Sequence, residues 1–596
     1  TIGAILAIVT AHEKLASPWK ELLTYYQMMW DADIKYEQVV SQFDPPAMRR
    51  PELIDAEPPA QLDLGGPLTA RGLTVANDDH GLDAVSFELA LPAHIAVLGP
   101  PDSGQSLLLR AVVGLEPIRV GMLAIGENDI ARLPDSVTGR RLAHVGSTAH
   151  LFAGTIRDNL LYGLKHRLIR AADPDQGRDA NAQLEAVAAG NSPFDGAADW
   201  VDPAAAGAAD AVELEQRLVQ VLATVRLERD VYAMGLRGRV DPARAPAVAR
   251  HVLEARQRFA TKRAADRRLA RLVEGFDPER FNHNATVAEN LLFGTPLDPA
   301  YEIDRLTRNP VVRHVLRAFE LESDLRRVGY ELAATMVELF ADLPPDHEYF
   351  RRFSFIGADD LPDYQALIGR VGAEQVARMP EGEDAERLLA LPMQLITGRH
   401  RLGLIDSGLQ ARIVAARGRL RETLPASDRD KIAFFEPDSY NRGASLQDNI
   451  LFGRIASDQA NAEATVTAEI ADIIEEMGLR AVVIRVGLDA EVGVAGSRLP
   501  MPQRQKLALG RALLRRPDIL VLDNPTGIFD RLEEEALRDG ILDASAGRTI
   551  LWAHPHPDWV DRFDTVLILK RGRVVASGTP AQVAAPHIAD SVTVEP

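Results

Sequence analysis

Ile519-Leu-Val-Leu522 is an unbroken apolar run that ends on Asp523. A strand apolar on both faces has to be covered on both faces, which points to the interior of a mainly parallel sheet. Its surroundings agree. From Gly496 to Asp530 the chain reads GSRLPMPQRQKLALGRALLRRPDILVLDNPTGIFD, a helix feeding that strand. After it come a helix, RLEEEALRDGILDA, a strand, TILWAH, and another, DTVLILKRGRVVASG. Strands alternating with helices predict an α/β fold with ligands at the carboxyl edge of the sheet.

A second cluster lies far upstream. LDAVSFELAL is followed by HIAVLG, which runs straight into PPDSGQSLLLRAVVGL: strand, glycine-rich turn, helix. Gly99-Pro-Pro-Asp-Ser103-Gly104-Gln105-Ser106 has the spacing of a phosphate-binding loop. The glycines let backbone N–H groups face a phosphate at the N-terminus of the following helix, and Ser106 is placed to put its hydroxyl on Mg²⁺. Gln105 stands where a lysine is required. It keeps a donor and loses the charge, and a charge-assisted contact is worth about 1.5–3 kcal/mol, roughly tenfold to 150-fold in affinity. The plain alternative for this loop is a strand-to-helix turn that holds no ligand.

With 596 residues the chain is too long for one compact domain. A net charge of −19 argues against a nucleic-acid partner, which usually meets a basic surplus. The absence of cysteine excludes disulfides and Cys-ligated zinc and suits a reducing compartment. The opening TIGAILAIVTA is apolar for about ten residues, where a bilayer needs roughly 20. It continues without a stop through LASPWKELLTYYQMMWDADIKYEQVVSQF to Phe43. Residues 1–43 read as the end of a last transmembrane helix and its cytoplasmic extension; a buried N-terminal helix is the alternative. Residues 44–65 carry five prolines and no periodicity, and read as a linker.

An internal repeat occupies the middle. Phe276 to Gly294, FDPERFNHNATVAENLLFG, registers without a gap on Phe435 to Gly453, FEPDSYNRGASLQDNILFG. A weaker third copy, LFAGTIRDNLLYG, spans Leu151 to Gly163. Helical segments of matching form follow each, from Val221, Val315 and Ile473. The ungapped pair indicates duplication. About residues 171–210, rich in Ala, Gly and Asp, read as a mobile excursion, and the basic helix HVLEARQRFATKRAADRRLARLVEG beyond them as a solvated helical face.

Phosphate loop, TIRDNLLYG, the helix RQKLALGRALLRRPD, ILVLD, PTGIFD and a strand ending in His554 fall in one order. That order resembles an ABC transporter nucleotide-binding domain, and more narrowly the exporter type, in which this domain follows the membrane helices. The resemblance covers about residues 1–164 and 434–596. It implies a P-loop NTPase-like domain of mainly parallel sheet and helical subdomain in two parts, 66–164 and 434–596, interrupted by a mostly helical insertion, 165–433. It also implies ATP and Mg²⁺ as ligands, and a second ABC subunit and a membrane as partners. The nucleotide-binding portion would then lie on the cytoplasmic side of an inner or plasma membrane.

Carried over position by position, the resemblance is uneven. Asp523 matches the carboxylate that holds Mg²⁺ through water, His554 the switch histidine and Asp530 the D-loop aspartate. Asn524 stands where the family has a catalytic glutamate. An amide cannot accept the proton of an attacking water, and general-base catalysis is worth about 10²–10⁴-fold. Ser147, four residues before Leu151, takes the place of the glutamine between metal and water, and Val75 and Ala76 that of an aromatic stacked on adenine. The signature LSGGQ reads Leu499-Pro500-Met501-Pro502-Gln503. Pro500 removes a hydroxyl and Pro502 an N–H donor. A degenerate ATPase or a non-catalytic scaffold is expected; a soluble ATPase acting on nucleic acid fits the charge poorly.

Overall fold

The computed structural model describes residues 2–43, 51–54, 56–57, 59, 62–75, 81–173, 180–192, 194–340, 343–344, 347, 355–553 and 557–583. The chain divides into two compact units: Thr1–His150, Leu160–Val225 and Arg504–Pro596 form the first, Leu151–Asn159 and Arg226–Gln503 the second.

The first unit is built on a six-stranded sheet in the order Arg573–Gly578, Thr565–Lys570, His94–Leu98, Thr549–Ala553, Ile519–Asp523, Leu142–Val145. All neighbours pair in parallel except the first two, which are antiparallel. Ile519 to Leu522 are 0–2% exposed, so the run is covered on both faces as its composition requires. Burying side chains of that size contributes about 1.5–3 kcal/mol each. A second, antiparallel sheet orders Leu82–Leu89, Leu68–Val75, Val120–Ile125 and Asn128–Asp129. The helix Gln105–Val112 gives Leu107, Leu108, Leu109 and Val112 to the core that both sheets share.

Ile2–Phe43 is one helix of 42 residues with Pro18 inside it. Ile2, Ile5, Leu6, Trp19 and Trp30 are exposed, so the helix is not the buried one of the alternative reading. Among the described residues no helix is long and apolar enough to cross a membrane. Most of the linker 44–65 has no regular structure or lies outside the described residues. The stretch expected to be a mobile excursion instead contains a helix, Ala180–Ala188, and a strand, Asp199–Val201, paired with Lys165–Arg170. The buried Asp202 accepts from Arg167 Nε at 2.9 Å beside that pair.

The second unit turns the sequence repeat into reciprocal pairing. Val273–Gly275 pairs with Gly453–Ile455, and Gly294–Pro296 with Ile432–Phe434. Phe276 and Phe435, the first residues of the two repeats, stack at 3.9 Å and 8° where the copies meet. Within each repeat the recurring residues have local jobs. Thr286 and Ser445 cap the short helices Val287–Leu292 and Leu446–Leu451, accepting from the N–H groups of Glu289 and Asp448. Asn290 and Asn449 then reach back to the carbonyls of Asn282 and Asn441 at 2.8 and 2.9 Å. Thr155, Asp158 and Asn159 repeat the arrangement in the weaker third copy.

Two buried arginines lock these loops. Arg256 donates to the carbonyls of Glu436, Pro437, Ser439 and Asn449, and Arg417 to those of Asp277, Pro278, Arg280 and Asn290, at 2.7 to 3.4 Å. Burial pushes both guanidinium groups down to about 10, still cationic at neutral pH. Arg256 is only 4% exposed, so the basic helix Pro246–Ala265 is not simply the solvated face expected of it. Its arginines look polar in sequence, but one is an internal cross-brace.

Helices Glu228–Arg237 and Arg480–Leu488 cross at two glycines. A Cβ at Gly235 would lie 2.0 Å from Val483 O, and one at Gly487 1.9 Å from Val231 O. Alanine would gain about 1 kcal/mol in helix propensity at either site, but overpacking costs typically 1–3 kcal/mol. Here the collision is with backbone, so packing wins. Gly235→Ala and Gly487→Ala are each expected to lower stability by about 1–2 kcal/mol, read as a fall in the urea midpoint of unfolding.

Candidate functional site

The carboxyl ends of the parallel strands carry the predicted residues. The strand His94–Leu98 runs into Gly99, and the strand Ile519–Asp523 ends on Asp523. Between them in the sheet lies Thr549–Ala553, which leads to His554. His554 and Ala76 lie outside the described residues. Val75 is 1% exposed and faces the core, so its side chain offers no surface for stacking.

The loop Gly99–Ser106 is tightly built. Gly104 has φ +94, a left-handed conformation that glycine adopts without strain, and a Cβ there would lie 2.6 Å from Leu82 Cδ2. At Gly99 a Cβ would lie 2.3 Å from Ser103 Oγ and 2.4 Å from Leu569 O. Ser103 Oγ is buried with no hydrogen-bond partner among the described residues. Gln105 Nε2 donates to Gly99 O at 2.7 Å, so the amide closes the loop on itself. The first amides of the helix Gln105–Val112 have no carbonyl one turn back within the helix and suit an anion.

Ser106 Oγ donates to Asp523 Oδ1 at 2.9 Å. Residues 417 positions apart thus place a hydroxyl and a carboxylate side by side. This pair of hard oxygen donors fits Mg²⁺, which takes few protein ligands and keeps waters of its own. Burial pushes the His144 imidazole down, against the attraction of Asp523, and so keeps it neutral beside this pair.

Asn524 sits at φ +48, a region asparagine tolerates better than most residues, and its N–H donates to Ala553 O at 3.2 Å. Its side chain packs against Gly527, where a Cβ would lie 2.9 Å from Asn524 Oδ1. Asp530 Oδ1 accepts from Glu533 N at 2.9 Å as the N-cap of Arg531–Ala544. Ser147 is exposed in the loop after the strand Leu142–Val145.

The signature region is a helix start. Pro500 precedes Met501–Leu514, and Pro502 falls in its first turn, where the missing N–H breaks no helical hydrogen bond. Gln503, in the second unit, donates through Nε2 to Asp230 Oδ1 at 2.9 Å. Met501 is 62% exposed.

Sequence reasoning passed over two residues of this helix. Gln505, 1% exposed, donates to Gly146 O at 2.7 Å and anchors the loop that carries Ser147. Lys506, 7% exposed, pairs with Glu533. Their signal was a Gln-Lys pair inside an otherwise apolar helical stretch, where polar residues need partners.

Asp530→Ala is expected to cost about 1 kcal/mol by loss of the cap. The loss should be the same with and without ATP, read as equal shifts of the thermal midpoint.

No protein-family model matches the chain. The heterocyst differentiation ATP-binding protein HepA of Nostoc sp. is 33% identical over 151 residues, 25% of this chain and 24% of that protein. A Rickettsia bellii protein whose name places it among export ATP-binding/permease proteins is 31% identical over 159 residues, 27% of this chain and 26% of that protein. The matches therefore span about a quarter of the length of these relatives. A solved bacterial Atm1-family ABC exporter with ATP bound aligns at TM-score 0.37 and 12% identity, covering 95% of this chain and 48% of that one, too loosely to support an argument. Over about a quarter of its length, the chain is similar to ATP-binding and export ATP-binding/permease proteins.

Proposed function

We propose that this chain is the ATP-binding portion of an exporter-type ABC transporter subunit that binds nucleotide weakly and hydrolyses it slowly or not at all. In this reading 66–164 and 434–596 are the nucleotide-binding domain, 165–433 is an insertion made partly by copying, and 1–11 is the end of a transmembrane helix. The membrane and a second ABC subunit are its partners, with this portion on the cytoplasmic side.

The observation that carries the reading is the pairing of an intact metal corner with a self-closed phosphate loop. Ser106 and Asp523, 2.9 Å apart, would hold Mg²⁺, and the amides of Gly104, Gln105 and Ser106 would hold phosphate. Gln105 brings no positive charge and spends a donor on Gly99 O. Asn524 offers no base. ATP and Mg²⁺ would supply the charge and the phosphoryl chemistry that such a site works on.

A second reading, a non-catalytic scaffold, rests on Gln503. Its side-chain amide is engaged with Asp230 rather than free to reach a nucleotide on another subunit.

Fluorescent-ATP binding and phosphate release by the 596-residue chain, beside a Gln105→Lys, Asn524→Glu variant, separate the readings. The parent is expected to bind ATP in the millimolar range and to turn over at least about 10²-fold more slowly than the variant. No binding at millimolar ATP would leave the scaffold reading. Equal turnover by parent and variant would overturn the role given to Asn524.

A further inference from the structure

The second unit contains a basic pocket of about 360 Å³ where its two copies meet. Arg237, Arg239, Arg256 and Arg454 line it, against one carboxylate, Asp448. In a chain of net charge −19 this is a local inversion of sign.

The charges differ in how far they are already answered. Arg454 bonds to Asp448 at 3.1 Å and also pairs with Glu289, so it is neutralised. Arg256 spends its donors on uncharged oxygens: backbone carbonyls and the side-chain amide of Asn449. Its hydrogen bonds are satisfied by these oxygens, and the Asp438 carboxylate attracts its charge without bonding to it. Arg237 and Arg239 are both exposed, and among the described residues neither forms an ion pair. Positive potential from a buried cation and free guanidinium donors at the mouth are what a phosphate group binds.

The repeat shows that the fold does not demand Arg237, Arg239 or Arg454. Three equivalent junctions form when a short helix receives a carbonyl from a distant segment. Leu446 N donates to Gly238 O at 2.9 Å, Val287 N to Leu395 O at 3.1 Å and Ile156 N to Ala490 O at 3.0 Å. The residues flanking the acceptor are Arg237 and Arg239 in the first, Gln394 and Ile396 in the second, Asp489 and Glu491 in the third. Thr295 occupies in one repeat the place that Arg454 has in the other. Arginines flank the acceptor at the first of these three junctions and not at the other two, so the packing of the junction does not require Arg237 and Arg239.

We infer that this pocket is a binding site for a phosphate group, carried by inorganic phosphate or by a small phosphate monoester. It is distinct from the phosphate loop, which belongs to the first unit.

Calorimetric titration of the 596-residue chain with inorganic phosphate, and separately with ribose 5-phosphate, tests the site. Binding of at least one probe is expected, weakened at least tenfold in Arg237→Gln, Arg239→Gln. Both side chains are exposed, so the variant should fold, which circular dichroism checks. Binding of both probes marks recognition of the phosphate group itself, and binding of the ester alone marks an organic phosphate. A Gln105→Ala, Ser106→Ala variant should bind as the parent does. No binding of either probe, binding unchanged in the arginine variant, or binding lost in the loop variant would overturn the proposal. The last outcome would move phosphate to the loop and leave the ATP reading standing.

Discussion

Parallel pairing of strands buried on both faces is the constraint on which the first unit depends. His94–Leu98, Thr549–Ala553 and Ile519–Asp523 lie side by side, and their side chains supply the core with almost no exposure. Because the strands run the same way, their carboxyl ends share one edge. Gly99 and Asp523 are brought to that edge by pairing alone. The 2.9 Å contact of Ser106 with Asp523 follows from it.

The second unit solves a different problem. Its strands are three residues long and cannot make a sheet that stands by itself. Order comes instead from reciprocal ladders, a stacked phenylalanine pair and two arginines, each buried among the carbonyls of a loop. A cation bonded to neutral oxygens satisfies the loop's acceptors without forming an ion pair, which leaves charge in the interior. The device recurs, with Arg256 on the loop after Phe435 and Arg417 on the loop after Phe276.

Residues at positions that the resemblance singles out, and Gln505 beside them, have structural work here. Asn524 tolerates a left-handed backbone, Asp530 caps a helix, Pro502 sits in a first turn, and Gln505 holds the loop before Ser147. A fold needs caps, turns and buried partners, and these can be met without the charges that act on a phosphate.

Local patterns were legible in the chain itself. The apolar run 519–522, the spacing Gly99 to Ser106 and the recurring hydroxyl-x-x-acidic-Asn motif each act within a few residues, so their meaning survives in sequence. The stretch 171–210 misled, because an Ala-Gly-Asp composition says little about a strand, Asp199–Val201, whose partner Lys165–Arg170 lies some 30 residues before it. Arg256 misled for the same reason: a basic helix looks solvated until a loop some 180 residues away is folded against it. Sequence by itself determined the α/β class, the strand–turn–helix spacing from Gly99 to Ser106 and the internal repeat. Tertiary structure alone decided that Gln105 turns inward, that Ser106 meets Asp523, and that Arg237 and Arg239 stand at a pocket without forming an ion pair among the described residues. Composition and spacing are properties of neighbours in the chain; hydrogen-bond partners and unanswered charges belong to neighbours in space.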